Sequence, residues 1–252
     1  GAGYCAESCS YTTADIGAAL RKYSPLQEAY GIDGPPRPDL LCYNTNQCRE
    51  VQDWFQFFGK HHEAPVLGVC PPRYLGSVST AHMTFVRSQL QQLVADIESR
   101  FRVKLDPAKL QEAVALSSRA SALWRRVLDT ARSSPSPITF WDGLIHMAPV
   151  ILMRGSRVAV EYYEGLLREM QGRVESGVGA VPAERFRIYW EGMPVWPRVR
   201  ELSEKCFDLK ASVVASTYCN SWAFEEYDGG DPLEWMARTS TEIFINRDEV
   251  FK

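Results

Sequence analysis

Residues 38–48 read Pro38-Asp39-Leu40-Leu41-Cys42-Tyr43-Asn44-Thr45-Asn46-Gln47-Cys48. A short apolar run bounded by turn-forming residues is typical of a buried strand, and the polar residues after Tyr43 are typical of a loop. Glu50–His61 follows as an amphipathic helix, and Pro65–Cys70 is a second short apolar run. A strand, a helix and another strand joined by short connections predict a parallel α/β unit.

The same alternation returns in the last third of the chain. Phe186–Trp190 and Ala211–Ser216 are predicted as strands, with a helix over Pro197–Phe207 between them. The loop Thr217–Trp222 follows the second of these strands, so it should lie at the carboxyl edge of the sheet, where open α/β folds bind ligands. We therefore expect a second α/β lobe whose sheet is incomplete within this chain.

A charged, helical segment separates the two lobes. Residues 82–132 have helical periodicity, and Asp106-Pro107 predicts the start of a second helix as N-cap and first helical residue. Helices are also expected over 140–154 and 158–170, and the glycine-rich residues 172–182 indicate a boundary. The predicted division is a first α/β lobe at 1–76, a helical connecting segment at 77–182 and a second lobe at 183–252.

Composition excludes several classes of protein. The 252 residues are 45% hydrophobic and 23% charged, which excludes intrinsic disorder. A net charge of −3 argues against binding nucleic acid through a broad basic surface, and no apolar run approaches the roughly 20 residues of a membrane span. Seven cysteines in a chain too large to need disulfides indicate a reducing, cytoplasmic location with free thiols or metal ligation.

Both termini suggest a piece of a longer polypeptide. The chain opens at Gly1 without an initiator methionine or a signal peptide, and residues 248–252 have the character of a helix without a cap. We expect the chain to be truncated at both ends. The sequence also lacks the glycine-rich nucleotide loops, the HExxH zinc motif and the GxSxG nucleophile elbow, so those activities are not indicated.

Three cysteines occupy positions where α/β sheets bind ligands. Cys9 precedes a helix predicted over Thr12–Tyr23, Cys48 precedes the helix predicted over Glu50–His61, and Cys219 follows the last predicted strand. A helix N-terminus offers partial positive charge and free N–H groups, which stabilise thiolates and can donate to cluster sulfurs. Three converging thiolates would suit an iron–sulfur cluster better than zinc, because no histidine or fourth cysteine has structural zinc-site spacing.

Each of these assignments has a plainer alternative. Dispersed free cysteines usually fill the core, and that is the preferred interpretation for Cys42, Cys70 and Cys206, whereas Cys5 would lie in a flexible end. Other candidates for acid–base or substrate contacts are Glu191, Trp190 and Trp222, which flank the loops of the second lobe. Aromatic clusters more often belong to a core, and loop carboxylates are more often simply solvated.

Three segments together resemble the 2-hydroxyacyl-CoA dehydratase/benzoyl-CoA reductase family. They are Glu7-Ser8-Cys9-Ser10-Tyr11, Asp39–Cys48 and Trp190-Glu191-Gly192-Met193-Pro194-Val195-Trp196. Their order and spacing fit over nearly the whole chain, and the last segment is similar to that of the cluster-bearing subunit type. The resemblance implies two flavodoxin- or Rossmann-like lobes, a cysteine-ligated 4Fe–4S cluster, a homologous second subunit in a heterodimer and a separate ATP-hydrolysing iron–sulfur activator.

The resemblance also implies a function and a ligand set. In the dehydratases one electron turns the acyl thioester into a ketyl radical anion, which allows hydroxide to leave; in the reductases electrons enter the ring of benzoyl-CoA. Cys9 and Cys48 would be the first two of three cluster ligands, and the third would come from a segment C-terminal to this chain. Cys219 would be an additional thiol, a substitute ligand or, preferably, a pocket residue.

We therefore expect an iron–sulfur catalytic subunit of an ATP-dependent, benzoyl-CoA-reductase-like enzyme that transfers low-potential electrons to an aromatic acyl-CoA. The residues Ser216–Trp222 look closer to this branch of the family than to the dehydratases. Two alternatives remain open. One is a subunit of an (R)-2-hydroxyacyl-CoA dehydratase, and the other is an α/β protein without redox chemistry, which binds a CoA thioester or only fills its core with cysteines.

Overall fold

The computed structural model describes residues 8–33, 36–46, 48–73 and 77–243. These residues form an α/β protein, as predicted, and they divide into two compact units. The first comprises residues up to Arg73 together with Ser79–Arg102, and the second comprises the remainder. The expectations for Cys5 and for a helix at 248–252 lie outside the described residues. No helix in the described ranges is long and apolar enough to cross a membrane.

The first unit contains a parallel strand–helix–strand arrangement. Its elements in chain order are α1 (Ser10–Leu20), α2 (Pro25–Tyr30), β1 (Leu41–Asn44), α3 (Glu50–His62), β2 (Val66–Val69) and α4 (Thr80–Phe101). Strands β1 and β2 pair in parallel, from Leu41 opposite Val66 to Asn44 opposite Val69. The strand expected from residue 38 begins to pair only at Leu41, whose N–H donates to the Pro65 carbonyl. The predicted parallel α/β unit is therefore confirmed with a shorter first strand.

Two glycines allow the close packing of this unit. Gly68 lies opposite Tyr43 in the sheet, and a Cβ atom on it would lie 2.1 Å from Cζ of that tyrosine ring. Gly59 of α3 faces β2, where a Cβ atom would lie 2.3 Å from Cγ2 of Val66. Helix α3 and the Tyr43 ring can therefore lie directly against the two strands.

The second unit begins with helices and ends with a second parallel strand pair. Its helices and strands are α5 (Pro107–Asp129), α6 (Phe140–His146), α7 (Ala148–Leu152), α8 (Arg157–Glu175), β3 (Phe186–Trp190), α9 (Val199–Asp208), β4 (Ala211–Ser216), α10 (Thr217–Asn220) and α11 (Pro232–Thr241). Strand β3 pairs in parallel with β4, with a shift in register between Ile188 and Tyr189. Both strands have the predicted bounds. The division into segments 1–76, 77–182 and 183–252 stays a prediction.

Local sequence explains where several helices start and stop. Asp106 accepts hydrogen bonds from the N–H groups of Ala108 and Lys109 at 3.0 and 3.3 Å, so the predicted cap of α5 is confirmed. The single helix expected over 140–154 is instead two, because Pro149 has no N–H to continue the hydrogen-bonding pattern of α6. The expected loop 217–222 begins with the short helix α10.

The core of the second unit is centred on two aromatic side chains. Trp124 of α5 and Tyr163 of α8 are fully buried, and their ring centroids are 5.5 Å apart. The Tyr163 hydroxyl donates to the His146 carbonyl at 2.8 Å and accepts from the Val150 N–H at 3.0 Å. The Trp124 indole N–H donates to the Cys219 carbonyl at 3.1 Å. The Tyr163 hydrogen bonds join α8 to α6 and α7, and the Trp124 hydrogen bond joins α5 to α10, which follows β4.

Candidate functional site

The thiols of Cys9 and Cys48 lie at the starts of two helices in the first unit. Cys9 is the N-cap residue of α1 and is partly exposed, and its side chain makes no capping hydrogen bond. Cys48 is exposed and lies two residues before the first residue of α3. Both sulfurs are therefore accessible for chemistry.

Glu50 joins the starts of these two helices. The backbone N–H of Cys9 donates to Oε1 of Glu50 at 3.0 Å, and Oε2 is 3.3 Å away. About one turn further along both helices, the Trp54 indole N–H donates to Oδ2 of Asp15 at 2.9 Å. Since both contacts run in the same chain direction, α1 and α3 lie side by side with their N-termini at the same end. The two thiols therefore share an end of the unit at which two helix dipoles present positive charge.

The thiols of Cys9 and Cys48 are chemically suitable as ligands of an iron–sulfur cluster. Thiolates are soft ligands that bind clusters, and accessible thiols beside helix N-termini are suited to this role. Among the described residues no group of three or more His, Cys, Asp or Glu side chains could hold a metal ion. The described residues thus contain the two cysteines expected as ligands, Cys9 and Cys48, without a complete ligand set, and the role of both stays a prediction.

The other cysteines of the first unit occupy different environments. Cys70 directly follows β2, and its backbone is held by Gln89 of α4 through hydrogen bonds of 2.8 and 3.3 Å. Cys42 was expected to fill the core, but it is exposed, because alternate side chains of β1 point to opposite faces and Cys42 lies on the open one. Accessibility alone therefore does not distinguish Cys48 from Cys42; position at a helix start does.

Cys219 lies in the core of the second unit. Its residue exposure is 2%, and a Cβ atom on Gly143 would lie only 3.0 Å from its sulfur. Burial raises the pKa of Cys219 to about 11, although the Ser216 hydroxyl acts in the opposite direction. The residue also lines a cavity of about 220 Å³ beside the end of β4. This environment favours a protonated thiol and a pocket or packing role over a thiolate ligand.

Glu191 takes part in a polar cluster at the carboxyl edge of the second sheet. Its Oε2 accepts a hydrogen bond from the Tyr189 hydroxyl at 2.9 Å and a short one from the Thr217 hydroxyl. The two hydroxyl oxygens are themselves 2.9 Å apart. Burial is the main cause that raises the pKa of Tyr189, and Glu191 adds to it, so this phenol stays protonated and able to donate. The Tyr189 and Thr217 hydroxyls therefore hold protons beside the exposed carboxylate of Glu191.

The two tryptophan candidates pack against the core. Trp190 stacks on Phe140 with centroids 5.4 Å apart, and its indole N–H donates to the Met193 carbonyl at 3.3 Å. Trp222 packs on the same core cluster, and its buried indole N–H has no hydrogen-bond partner among the described residues. Both environments favour a structural role over direct contact with a substrate.

Three polar residues of these sites were not singled out from the sequence. Glu50 carries a weak signal, an acidic side chain in the first turn of a helix just after Cys48. Tyr189 and Thr217 lie near the ends of two predicted parallel strands, and such ends meet at one edge of a sheet. That rule could have paired them with Glu191. No local pattern links Glu50 to Cys9, which is 41 residues away.

Comparison with known proteins gives a consistent set of relatives. Residues 2–248 match the profile of the family described as 2-hydroxyglutaryl-CoA dehydratase, D-component. A benzoyl-CoA reductase subunit of Thauera aromatica is 31% identical over 98% of this chain and 60% of its own length. The (R)-2-hydroxyisocaproyl-CoA dehydratase alpha subunit of Clostridioides difficile is 25% identical, over 99% of this chain and 60% of its own length. The (R)-2-hydroxyglutaryl-CoA dehydratase alpha subunit of Acidaminococcus fermentans is 27% identical, over 82% and 42% respectively. The chain thus spans three-fifths or less of these relatives.

Proposed function

The chain belongs to the 2-hydroxyglutaryl-CoA dehydratase, D-component family, and from that premise we propose that it forms part of the iron–sulfur catalytic subunit of a benzoyl-CoA-reductase-like enzyme. The proposed reaction is ATP-dependent, low-potential electron transfer to an aromatic acyl-CoA. The observation that carries the proposal is the pair of accessible thiols, Cys9 and Cys48, at two helix starts that Glu50 joins. The higher identity to the reductase subunit than to the two dehydratase subunits supports this branch.

The residues of the first unit would bind the cofactor. When bound, a 4Fe–4S cluster takes up and passes on single electrons. Cys9 and Cys48 would bind it through their thiolate sulfurs, and the N-terminal ends of α1 and α3 would offset the negative charge of those sulfurs. The remaining ligand is proposed to lie outside the described residues. Cys219 is assigned to a pocket, since its environment favours the protonated thiol.

The second unit would contribute an acid–base group. Glu191 is exposed, and the hydroxyls of Tyr189 and Thr217 fix the position of its Oε2 by donating to it. A carboxylate held in this way can accept or return a proton at a defined point, as reduction of an aromatic ring or loss of water requires. We assign this role to Glu191 and a positioning role to its two partners.

The enzyme would also have the partners that the family resemblance implies. They are a homologous second subunit, a separate ATP-hydrolysing iron–sulfur activator that donates electrons, and an acyl-CoA substrate. The matching relatives are themselves named as subunits. Two flavodoxin- or Rossmann-like lobes and a cytoplasmic location belong to the same proposal. The two parallel strand pairs, each with a crossover helix, support the architecture.

A second candidate function is dehydration of an (R)-2-hydroxyacyl-CoA. The family description and the two matching dehydratase subunits favour it. The complex, supplied with activator and ATP, should be assayed on benzoyl-CoA and on a 2-hydroxyacyl-CoA in parallel. Turnover of benzoyl-CoA alone supports the reductase, and turnover of the hydroxyacyl thioester alone supports the dehydratase.

The cluster itself is tested by metal analysis. The protein is purified anaerobically with its partner subunit, and we expect a brown complex with about four iron atoms for this subunit. Cys9→Ser and Cys48→Ser should each lose most of that iron. Cys42→Ser removes an exposed thiol from the same unit and serves as the matched control, and Cys219→Ser should also keep its iron. A colourless complex without iron would refute the proposal and leave a non-redox α/β binding protein.

A further inference from the structure

The N-terminus of α1 is completed by a residue from another helix. In a capping box, an acidic side chain three residues after the N-cap accepts the N-cap backbone N–H. In α1 that position is occupied by Thr12, whose hydroxyl is buried and has no hydrogen-bond partner in the described residues. The carboxylate of Glu50, from the first turn of α3, instead accepts the Cys9 N–H with both oxygens within 3.3 Å. Glu50 therefore performs between two helices what a capping box does within one.

This contact has two electrostatic consequences for any group bound by Cys9. A fixed negative charge lies against the backbone of the ligand residue, and a charge near a redox centre opposes the arrival of an electron. The same contact engages the Cys9 N–H, which is then not available to a cluster sulfur. Hydrogen bonds to cluster sulfurs are among the factors that set reduction potential. Both effects act in the same direction, toward a lower potential.

We infer that Glu50 is a positioning residue that holds Cys9 in register with Cys48 and lowers the one-electron reduction potential of the bound cluster. This inference rests on the proposed function. This potential describes the gain of one electron by the oxidised cluster, in which no bond is formed or broken. The electron comes from the low-potential iron–sulfur activator in the proposed reaction and from Ti(III) citrate in the experiment. A low potential would favour onward transfer to a substrate that is difficult to reduce.

The charge and the hydrogen bond can be separated by substitution. Glu50→Gln keeps an oxygen that can accept the Cys9 N–H but removes the negative charge. Glu50→Ala removes both. Asp53→Asn is the matched control, because Asp53 is an exposed acid in the same first turn of α3 and has no hydrogen bond to Cys9 in the described residues.

The measurement is an EPR-monitored potentiometric titration of the anaerobic complex, together with its iron content. We expect Glu50→Gln to keep its iron and to raise the ratio of reduced to oxidised cluster about tenfold at a fixed potential, which is about 59 mV for one electron. Asp53→Asn should change that ratio less than about threefold, since its exposed charge is screened by solvent. Glu50→Ala should lose most of its iron.

The possible outcomes separate this inference from the function on which it rests. A wild-type complex without a cluster refutes the proposed function itself. A loaded Glu50→Gln complex with the wild-type potential refutes the tuning role and leaves the proposed function intact. Loss of most iron from Glu50→Gln, or an equal shift in Asp53→Asn, would also overturn the inference, because Glu50 would then act only through folding or through unspecific charge.

Discussion

Replacement of Arg154 by methionine is expected to stabilise the second unit. The guanidinium lies over the ring of Phe224, 4.5 Å from its centroid, and both of its terminal nitrogens are buried without a hydrogen-bond partner in the described residues. Burial lowers the pKa of Arg154 to about 10, against a smaller opposite effect of Tyr163. The difference from the ordinary value of 12.5 corresponds to about 3 kcal/mol of free energy that opposes the charged form in the folded protein.

The expected increase in the free energy of unfolding is smaller than the cost of burying the charged guanidinium. The cation–π contact with Phe224 offsets about 0.5–2 kcal/mol of it. Methionine fills a similar volume with a flexible apolar chain, so the packing of the aliphatic stem is largely kept. We therefore expect Arg154→Met to raise the free energy of unfolding by about 1–3 kcal/mol, in line with other buried charges replaced by apolar residues. For a unit of this size that is a Tm increase of about 2–12 °C.

The change in the free energy of unfolding is measured by urea denaturation, with tryptophan fluorescence as the signal, and Tm is measured by calorimetry. Arg157→Met is the matched control, because Arg157 is exposed and pairs with Glu112 at 3.0 Å on the surface. That substitution should change stability by less than about 0.5 kcal/mol. A loss of stability in Arg154→Met beyond that margin would refute the reasoning, since it would mean that the buried guanidinium is paired with an anion in solution.

Two further predictions concern titration and thiol accessibility. Burial alone would raise the pKa of Glu184, but the Ser136 N–H, which donates to it at 3.0 Å, and Arg187 together hold that pKa below its usual value. This carboxylate therefore adds stability above pH 4.5 that is lost as the pH falls through its lower folded-state pKa. The deficit of Glu184→Gln in urea unfolding should accordingly shrink in acid, and a deficit independent of pH would contradict this. In the metal-free protein, a disulfide reagent should modify the exposed Cys48 before unfolding and Cys219 only after it; a fast-reacting thiol that disappears in Cys219→Ser would show otherwise.

Local sequence predicts the second strand pair of this fold better than the ends of its helices. Strands β3 and β4 have their predicted bounds, because each is an apolar run between turn-forming residues. Helix α8 runs to Glu175, beyond the expected end at residue 170, since Gly172 is tolerated within a long helix. Pro149, visible in the sequence, divides α6 from α7. Apolar periodicity continues across Pro149, and periodicity alone therefore predicts one uninterrupted helix.

The positions of the cysteines in the sequence do not predict which of their thiols are buried. Cys48 and Cys219 have similar positions in the sequence, each in the segment after a predicted strand, yet one is exposed and the other is 2% exposed. The difference comes from Trp124 and Gly143, which lie far away in the chain and close over Cys219. Spacing identifies where a thiol can lie, whereas the residues packed around it decide whether a thiolate is stable there.

The starts of the two helices in the first unit also depend on a residue that is distant in the chain. A single cysteine before a helix is only weak evidence for a ligand site. Cys9 and Cys48 lie at two helix N-termini that are in contact, so the position of one depends on the position of the other. Glu50 couples them, because a change that releases the Cys9 N–H also releases the first turn of α3 from α1. The proposed cluster binding at Cys9 and Cys48 should therefore respond to replacement of Glu50 more strongly than to replacement of the exposed Asp53 in the same turn, although both side chains are acidic.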